Sequence, residues 1–330
     1  MTSSEFTPEV RKQLLNKQYG LAGRHSAVQI CSWTRKSLRG KGSCYKQKFY
    51  GVETYKCCQM SPSAAWCQQS CIFCWRPMEW MQKSFSLKEE ADSPEQIIDA
   101  CVASRKKLLS GIGGAHDVDR PLFQKSFSEF PSHWAISLSG EPTLYPLLPE
   151  LVRELRSRKE VKTIFVVSNG QEPSMIKKLE GTGLTNLYIS VDAPTPALFK
   201  KINRSIYPNG WSRLKRSLSL LKDMDCNTVI RFTVIKGVND LPAMLPQYAE
   251  LFESAAPTYI EVKAYMFLGY SRLRLKEENM PSHEYVKEFS KSLLKFMPSY
   301  KYKDECADSR IVLLKGKLPT NNHYIRYPRT

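Results

Sequence analysis

The chain has 330 residues, of which 42% are hydrophobic, and a formal net charge of +17. This length suits one large α/β domain or two small ones, and the positive charge indicates a polyanionic partner. The sequence contains neither an apolar run of about 18 residues nor the apolar core of a secretory signal, so we expect a cytoplasmic protein without membrane segments.

The first group of candidate ligands is a set of upstream cysteines. Without a secretory signal, these thiols indicate metal ligation rather than disulfides. Cys31, Cys44 and Cys57 are separated by twelve residues each, and their basic neighbours favour the thiolate form. The triplet predicts an auxiliary iron–sulfur cluster, with zinc or unligated thiols as the alternatives. The equal spacing favours Cys57 over the adjacent Cys58.

A second, tighter group follows. Cys67, Cys71 and Cys74 have the spacing Cys-x3-Cys-x2-Cys, with Phe73 before the last. Three thiolates in one loop can hold three irons of a cubane cluster and leave the fourth iron open. Half of a zinc site or reduced structural thiols are the alternatives, but a second ligand pair about 12 to 20 residues on is missing. The loop is similar to the signature of the radical S-adenosylmethionine (SAM) superfamily.

Short apolar runs alternate with amphipathic stretches from residue 134 onward, which predicts a parallel sheet covered by helices. The predicted strands are residues 59–65, 134–138, 163–168, 187–191, 228–235, 259–264 and 310–314. The predicted helices are residues 94–110, ended by Gly111, and 147–158, 174–179, 212–224, 242–253 and 282–296. This α/β pattern favours a partial or complete (β/α) TIM-like barrel. Residues 111–133 are predicted to form a long mobile loop.

Polar residues at the ends of these strands are candidates for binding SAM. Such side chains face the mouth of a barrel, so we expect Asn169, Ser190 and Asp192 to contact SAM. A simple cap or turn role is the alternative for each. Glu261 and Lys263 alternate onto one face of a later strand, where charges inside a barrel need either pairing or a ligand.

An acid-free stretch between residues 192 and 223 contains seven basic and three aromatic residues. Basic side chains pair with phosphates and aromatic ones stack on unpaired bases, so this mixture suits RNA. Residues 315–330 repeat the pattern. A solvated basic face is the alternative in both places. The candidate RNA-binding residues are Lys200, Lys201, Arg204, Trp211, Arg213, Arg216, Arg326 and Arg329.

Both cysteine triplets, the basic charge and the block from Ser139 to Leu144 together resemble the archaeal 4-demethylwyosine synthases, which are radical SAM enzymes of tRNA. The resemblance runs from about Gly20 to the C-terminus. It implies two [4Fe-4S] clusters, SAM, pyruvate and the anticodon loop of tRNA(Phe). Because eukaryotic relatives carry a flavodoxin-like domain for which residues before Cys31 leave no room, we expect a separate one-electron donor. We also expect a monomer.

The same resemblance assigns roles to individual residues. Ser139, Gly140 and Glu141 match a Gly-Gly-Glu block that holds the amino group of SAM, with serine replacing the first glycine. Lys46, two residues after the middle upstream cysteine, is implied to form a Schiff base with pyruvate, which makes the keto carbon a better radical acceptor. Without the family, each of the five lysines near the upstream triplet has an equal claim.

The implied reaction condenses N1-methylguanosine at position 37 with pyruvate by 5′-deoxyadenosyl radical chemistry and gives a tricyclic base, a carbon–carbon lyase activity. The predicted segments are an N-terminal extension with the auxiliary cluster ligands (1–58), the radical SAM barrel (59–300), and a C-terminal strand with a basic tail that contacts tRNA (301–330). Another radical SAM RNA-modifying enzyme with an auxiliary cluster, or a zinc-containing RNA-binding module, would be the alternatives.

Overall fold

A single twisted sheet organises the protein, whose computed structural model describes residues 5–84 and 91–319. The strands are β1 (Gly20–Ala22), β2 (Ser26–Gln29), β3 (Cys57–Ser61), β4 (His133–Ile136), β5 (Thr163–Ser168), β6 (Asn186–Ser190), β7 (Asn227–Val234), β8 (Tyr259–Ala264), β9 (Lys301–Cys306) and β10 (Ile311–Lys315). Their order is β1-β2-β3-β4-β5-β6-β7-β8-β10-β9.

Strands β3 to β8 are parallel neighbours in chain order, as expected for successive βα units. The other strands add antiparallel pairs at the two edges. Within the described residues no pairing joins β1 to β9, so the sheet stays open. The prediction of a TIM-like barrel is confirmed in its partial form.

The helices cover the outer face of this sheet. They are α1 (Pro8–Asn16), α2 (Ser32–Ser37), α3 (Tyr45–Tyr50), α4 (Pro94–Gly113), α5 (Arg120–Ser128), α6 (Leu148–Ser157), α7 (Pro173–Lys177), α8 (Pro196–Asn203), α9 (Gly210–Ser219), α10 (Leu245–Ala255) and α11 (His283–Leu294). Helices α1 and α3 are exceptions, because α1 shares a cluster with Ala27 on the face opposite to α4, and α3 packs on the concave face. There Tyr50 belongs to a cluster with Phe165, Tyr188, Val229 and Leu313.

Residue alternation separates the two faces of each barrel strand. Leu187 and Ile230 pack in the main core beneath the helices. Tyr188 and Val229, their neighbours in the chain, belong to the concave cluster. Polar residues at the same alternate positions of these strands as the cluster residues therefore point into the barrel, toward the candidate site.

The predicted bounds of β5 and β8 are confirmed, and the capping box of α4 forms between Ser93 and Gln96. Two local predictions are wrong. Helix α4 continues through Gly111 because burial of Ile112 in a small apolar cluster offsets the poor helix propensity of glycine. The segment 111–133 contains α5, whose N-terminus is capped by Asp119.

Other elements were not predicted, including the helices of the upstream cysteine segment, α8, and strands β1, β2 and β9. The predicted helix over 212–224 ends at Ser219 and continues as a short 3-10 turn. The division into three segments stays a prediction. Its first boundary, after residue 58, falls inside β3, and β9 of the third segment belongs to the same sheet as the barrel strands. No helix in the described ranges is long and apolar enough to cross a membrane.

Candidate active site

The tight cysteine loop follows β3 and lies on the turn after β4. Gly140 has φ 71°, and a Cβ there would lie 2.0 Å from the carbonyl oxygen of Ser63. The backbone N–H of Glu141 donates to the carbonyl of Trp66 over 2.7 Å. The Ser63 hydroxyl in turn donates to the Glu141 carbonyl over 2.7 Å. Glycine is therefore required for this close approach of two backbones.

The three thiols of this loop lie near enough for their charges to interact, although no three ligand side chains of the described residues are already arranged to hold a metal ion. Cys67, Cys71 and Cys74 are partly exposed, yet the loss of water around each thiol raises its pKa, to about 12 for Cys67. The charges of Cys67 and Cys74 raise the pKa of Cys71 further. Three adjacent thiolates thus need strong positive charge beside them, and this donor set fits the irons of a cubane cluster.

Two amides approach the same sulfurs. The Nδ2 atom of Asn169 lies 3.8 Å from Cys67 Sγ, and that of Asn203 lies 3.7 Å from Cys71 Sγ. Such N–H groups stabilise thiolate ligands and tune the potential of a bound cluster. Asn169, predicted from its strand-end position, is thus placed beside the loop. Asn203 was missed because it is the last residue of α8, a helix that was not predicted.

Different contacts are made by the side chains of the block Ser139, Gly140 and Glu141. The Glu141 carboxylate is fully used within the protein, where it accepts hydrogen bonds from Ser168, Asn169 and Thr143. It therefore orders the turn. Ser139 Oγ, by contrast, is buried without a hydrogen-bond partner among the described residues. A buried hydroxyl of this kind fits a polar ligand at the barrel mouth.

Asp192 lies deep in the same region. Its carboxylate accepts hydrogen bonds from Asn203 Nδ2 over 3.3 Å and from the Thr233 backbone over 3.1 Å. Burial raises the pKa of Asp192 to about 6. Ser190, at the end of β6, is partly buried. Asp192 thus connects the cysteine loop to β7 through Asn203, a contact that a turn role alone would not need.

The predicted RNA-binding segment lies against the cysteine loop. Backbone hydrogen bonds join Ser70 to Asn203 over 3.0 Å and Ile72 to Ile202 over 2.9 Å. The candidate RNA-binding residues that are exposed on this segment are Lys200, Lys201, Arg204 and Arg216. A polyanion on this surface would therefore lie next to the loop.

The other candidates on this segment make internal contacts. Arg213 pairs with Glu172 over 2.7 Å, and Trp211 packs on Phe199 with ring centroids 5.8 Å apart. Predicted RNA contacts Arg326 and Arg329 lie outside the described residues.

The upstream triplet converges at the start of β3. Cys31 is the N-cap of α2 and its Sγ accepts from Thr34 N over 3.4 Å, while Cys44 precedes α3. Burial, together with the charges of Cys31 and Cys44, raises the pKa of Cys57. Cys58 points the other way and is 0% exposed in the main core. The register of β3 therefore favours Cys57, as the spacing predicted.

Lys46 reaches from α3 onto the concave face. Its Nζ lies 4.0 Å from the ring centroid of Phe165 and 5.0 Å from that of Tyr188. Burial lowers the pKa of Lys46, and the nearby charge of Arg231 lowers it further. The amine is thus near the upstream cysteines and inside the barrel, where a neutral lysine is a nucleophile.

A buried carboxylate fixes this arrangement. Glu261 accepts hydrogen bonds from the hydroxyls of Tyr45 and Tyr50 over 3.0 and 2.8 Å. Tyr188 donates to it over 2.9 Å, and Arg231 pairs with it over 3.1 Å. Of the two alternatives that the sequence left open, pairing or a ligand, Glu261 takes pairing, and its partner is Arg231. Because Arg231 lies on the neighbouring strand in register with Glu261, it is the closer partner.

Arg274 is a further residue that the sequence did not indicate. Its Nε donates to the Ile72 carbonyl over 3.1 Å, and its Nη2 donates to the carbonyl of Cys74. It also pairs with Glu79. Two hundred residues separate Arg274 from Cys74, so no local spacing signals the contact.

Two known families match two different parts of the chain. Residues 61–244 match the radical SAM superfamily, and residues 254–316 match a family described as wyosine base formation. Together these matches cover β4 to β10 and the last residue of β3.

Similar proteins include S-adenosyl-L-methionine-dependent tRNA 4-demethylwyosine synthases. The one from Pyrococcus abyssi is 43% identical over 93% of this chain and 89% of its own length, and that from Methanocaldococcus jannaschii is 40% identical over 94% and 96%. A solved structure of TYW1 with a lysine–pyruvate adduct bound superposes with a TM-score of 0.83 at 37% identity. It covers 96% of this chain and 98% of its own. A crystal structure of archaeal TYW1 superposes with a TM-score of 0.76 at 33% identity, with the same coverage of both chains.

Replacement of Gly140 by alanine tests the close approach under the cysteine loop. We expect Gly140→Ala to lower the iron content of the protein, because the new Cβ would collide with the Ser63 carbonyl beside the loop whose thiols fit a cubane cluster. Iron content per chain and the electron paramagnetic resonance signal of the reduced cluster measure this.

Gly181→Ala is the matched control. Gly181 has φ 69°, but a Cβ there meets nothing within 4 Å. It carries the left-handed strain of roughly 1–2 kcal/mol alone and should keep its iron. Equal iron loss in both variants would show that strain, rather than the collision, is responsible.

Proposed function

Because the chain belongs to the family of S-adenosyl-L-methionine-dependent tRNA 4-demethylwyosine synthases, we propose that it condenses N1-methylguanosine at position 37 of tRNA(Phe) with pyruvate. Membership makes the chain a radical SAM tRNA-modifying enzyme that requires SAM and a [4Fe-4S] cluster. A zinc-containing RNA-binding module is therefore excluded. The identity of the second substrate, the nucleoside position and the residue roles form the proposal.

The first part of the proposal concerns the cluster loop. Cys67, Cys71 and Cys74 hold three irons, and when bound the cluster supplies the electron that divides SAM into methionine and a 5′-deoxyadenosyl radical. The residues proposed to hold SAM are Ser139, Gly140, Glu141, Asn169, Ser190 and Asp192. The unpartnered Ser139 hydroxyl supports direct contact. The saturated carboxylate of Glu141 supports a role through its backbone and the turn it orders.

The second part concerns pyruvate. The Lys46 amine attacks the keto carbon, the keto oxygen leaves as water, and an imine remains. Burial and the charge of Arg231 lower the pKa of Lys46, which favours the neutral amine that makes this attack. The lysine–pyruvate adduct named for the similar TYW1 structure supports the same chemistry.

The third part is the auxiliary cluster on Cys31, Cys44 and Cys57. Two of these thiols precede helices, so helix N-termini face them, and positive helix ends favour thiolate ligands. The open iron of such a cluster would act on pyruvate as a Lewis acid, near Lys46.

The fourth part is the RNA surface. A base in an anticodon loop must leave its stack to reach the barrel mouth. The exposed lysines of α8 lie on a segment that is hydrogen-bonded to the cluster loop, so phosphate contacts there would position the base near the radical. A monomeric state, a cytoplasmic location and an external electron donor remain predictions.

One observation carries the proposal: Lys46 lies on the same concave face whose mouth the cluster loop covers, beside the upstream triplet. Another radical SAM RNA-modifying enzyme with an auxiliary cluster would not need a reactive lysine there.

Labelled pyruvate tests the proposed substrate. With reduced enzyme, SAM and tRNA that carries N1-methylguanosine, we expect carbon label from pyruvate to appear in the nucleoside, because two pyruvate carbons close the new ring. Nucleoside mass spectrometry after tRNA digestion measures this. Unlabelled product, or the same product without pyruvate, would favour the alternative enzyme.

Alanine variants of the two triplets separate their roles. Cys71→Ala should abolish 5′-deoxyadenosine formation because SAM loses its cluster. Cys44→Ala should retain SAM cleavage without tRNA product, because only the second substrate's site is changed. Chromatography of both products gives the comparison, with Cys101→Ala as a control in a thiol outside both triplets. If the two triplet variants behaved alike, the division of roles would be wrong.

Charge removal tests the RNA surface. The triple variant Lys200→Ala, Lys201→Ala, Arg204→Ala should weaken tRNA binding and reduce the salt dependence of log affinity by about 0.7 for each lost phosphate contact. Titrations at several salt concentrations measure both. A triple variant at exposed Lys106, Lys107 and Lys125 removes the same charge from α4 and α5. An equal effect there would indicate nonspecific attraction.

A further inference from the structure

The concave face near Lys46 carries more positive than negative charge. Arg231 and Lys263 both point into the barrel, with the parity of the concave strand residues. Glu261 is the carboxylate between them, and it is 0% exposed. Charges inside a protein need partners of opposite sign. One carboxylate therefore serves two fixed cations.

Arg231 is only partly used by its protein partners. Its Nε and Nη2 atoms bond Glu261 over 3.3 and 3.1 Å, and Nη2 also bonds the Tyr45 hydroxyl over 2.6 Å. Its Nη1 atom makes no hydrogen bond to the described residues. A guanidinium with a free edge binds carboxylates well because its donors form a planar fork.

Lys263 forms no salt bridge within the described residues, although the charges of Glu261, Cys44 and Cys306 act on it. Its Nζ donates to the Ser309 carbonyl over 2.8 Å, and this is a neutral acceptor. Burial, together with Arg231, lowers the pKa of Lys263 to about 8. An anion placed between Lys263 and Arg231 would stabilise both charges.

Arg231 lies near the Lys46 amine, and Lys263 lies near Arg231. Arg231 and Lys46 lie over the same ring, with the Arg231 Cζ 4.8 Å and the Lys46 Nζ 5.0 Å from the Tyr188 centroid. The Lys263 Nζ lies 5.4 Å from the ring of Tyr45, the residue before Lys46. A small molecule joined to Lys46 would therefore have its other end near these two cations.

We infer that Arg231 and Lys263 form the carboxylate-binding site of the keto acid that reacts with Lys46. In a 2-keto acid the carboxylate is bonded directly to the keto carbon, so attack by the amine at that carbon fixes the carboxylate within reach of both cations. Water leaves as the imine forms, and the carboxylate keeps its charge. The inference rests on the proposed function and adds the positioning residues that select a 2-keto acid over a neutral ketone.

A purely structural role explains less. An ion pair with Arg231 and hydrogen bonds from three tyrosine hydroxyls would satisfy the Glu261 carboxylate. It leaves Lys263 without a direct ion pair on the concave face, as far as the described residues show. A bound carboxylate accounts for both cations.

The unmodified holoenzyme gives the first test. Cyanoborohydride reduces the imine by delivering hydride to its carbon, and peptide mass spectrometry quantifies the resulting secondary amine at Lys46. Acetate should compete with pyruvate and reduce trapping at subsaturating pyruvate, whereas acetamide, of similar size but neutral, should not. Equal effects of acetate and acetamide would overturn the carboxylate site.

A variant gives the second test. Lys263→Met keeps the side-chain length and removes the charge, and we expect the pyruvate concentration for half-maximal trapping to rise about tenfold or more, while the limiting yield is retained. Trapping of hydroxyacetone, a neutral ketone, should change little. Lys303→Met, at an exposed lysine of β9, is the matched control and should behave as the unmodified protein.

Failure of this inference is separable from failure of the proposed function. If the unmodified enzyme incorporates labelled pyruvate and Lys263→Met has the same half-saturating concentration, only the carboxylate site is wrong. An equal loss for pyruvate and hydroxyacetone in Lys263→Met would also contradict it. If the unmodified enzyme neither traps pyruvate on Lys46 nor incorporates it, both proposals fail.

Discussion

The buried carboxylate of Glu261 joins the N-terminal cysteine segment to the barrel. It accepts hydrogen bonds from Tyr45 and Tyr50 of α3 and pairs with Arg231 of β7. A charge inside a protein is stable only with such partners, and loss of one leaves the rest uncompensated. Because the two tyrosines flank Lys46, the same contacts determine where Lys46 lies. One network of contacts thus stabilises the buried Glu261 carboxylate and also positions Lys46.

The cluster loop depends on contacts from distant parts of the chain. The turn at Gly140 supports it, Asn203 contacts it from the basic segment, and Arg274 binds its carbonyls from the other side. These contacts make the loop sensitive to its surroundings, because the surface proposed for RNA is hydrogen-bonded to it. If tRNA binds on that proposed surface, its binding would be physically connected to the environment of the cysteine loop.

Much of the fold was predictable where local chemistry is strong. The strands β5 and β8 and the N-terminus of α4 follow from apolar runs and a capping box. The end of α4 could not be predicted in this way, since burial of Ile112 in a tertiary cluster outweighs the preference of Gly111 to stop a helix. Helix α5 was missed for a related reason. Nine residues give too short a period to distinguish a helix from a polar loop.

The sequence by itself determined which residues can do chemistry, because cysteine spacing, strand-end polar residues and the lysine after Cys44 are local features. Tertiary structure decided how they are used. Strand register turns Cys57 toward the upstream triplet and Cys58 into the core. It also pairs Glu261 with Arg231 and leaves Lys263 without a direct ion pair among the described residues. Such outcomes depend on which strands are neighbours, and pairing between distant segments is not encoded in any one of them.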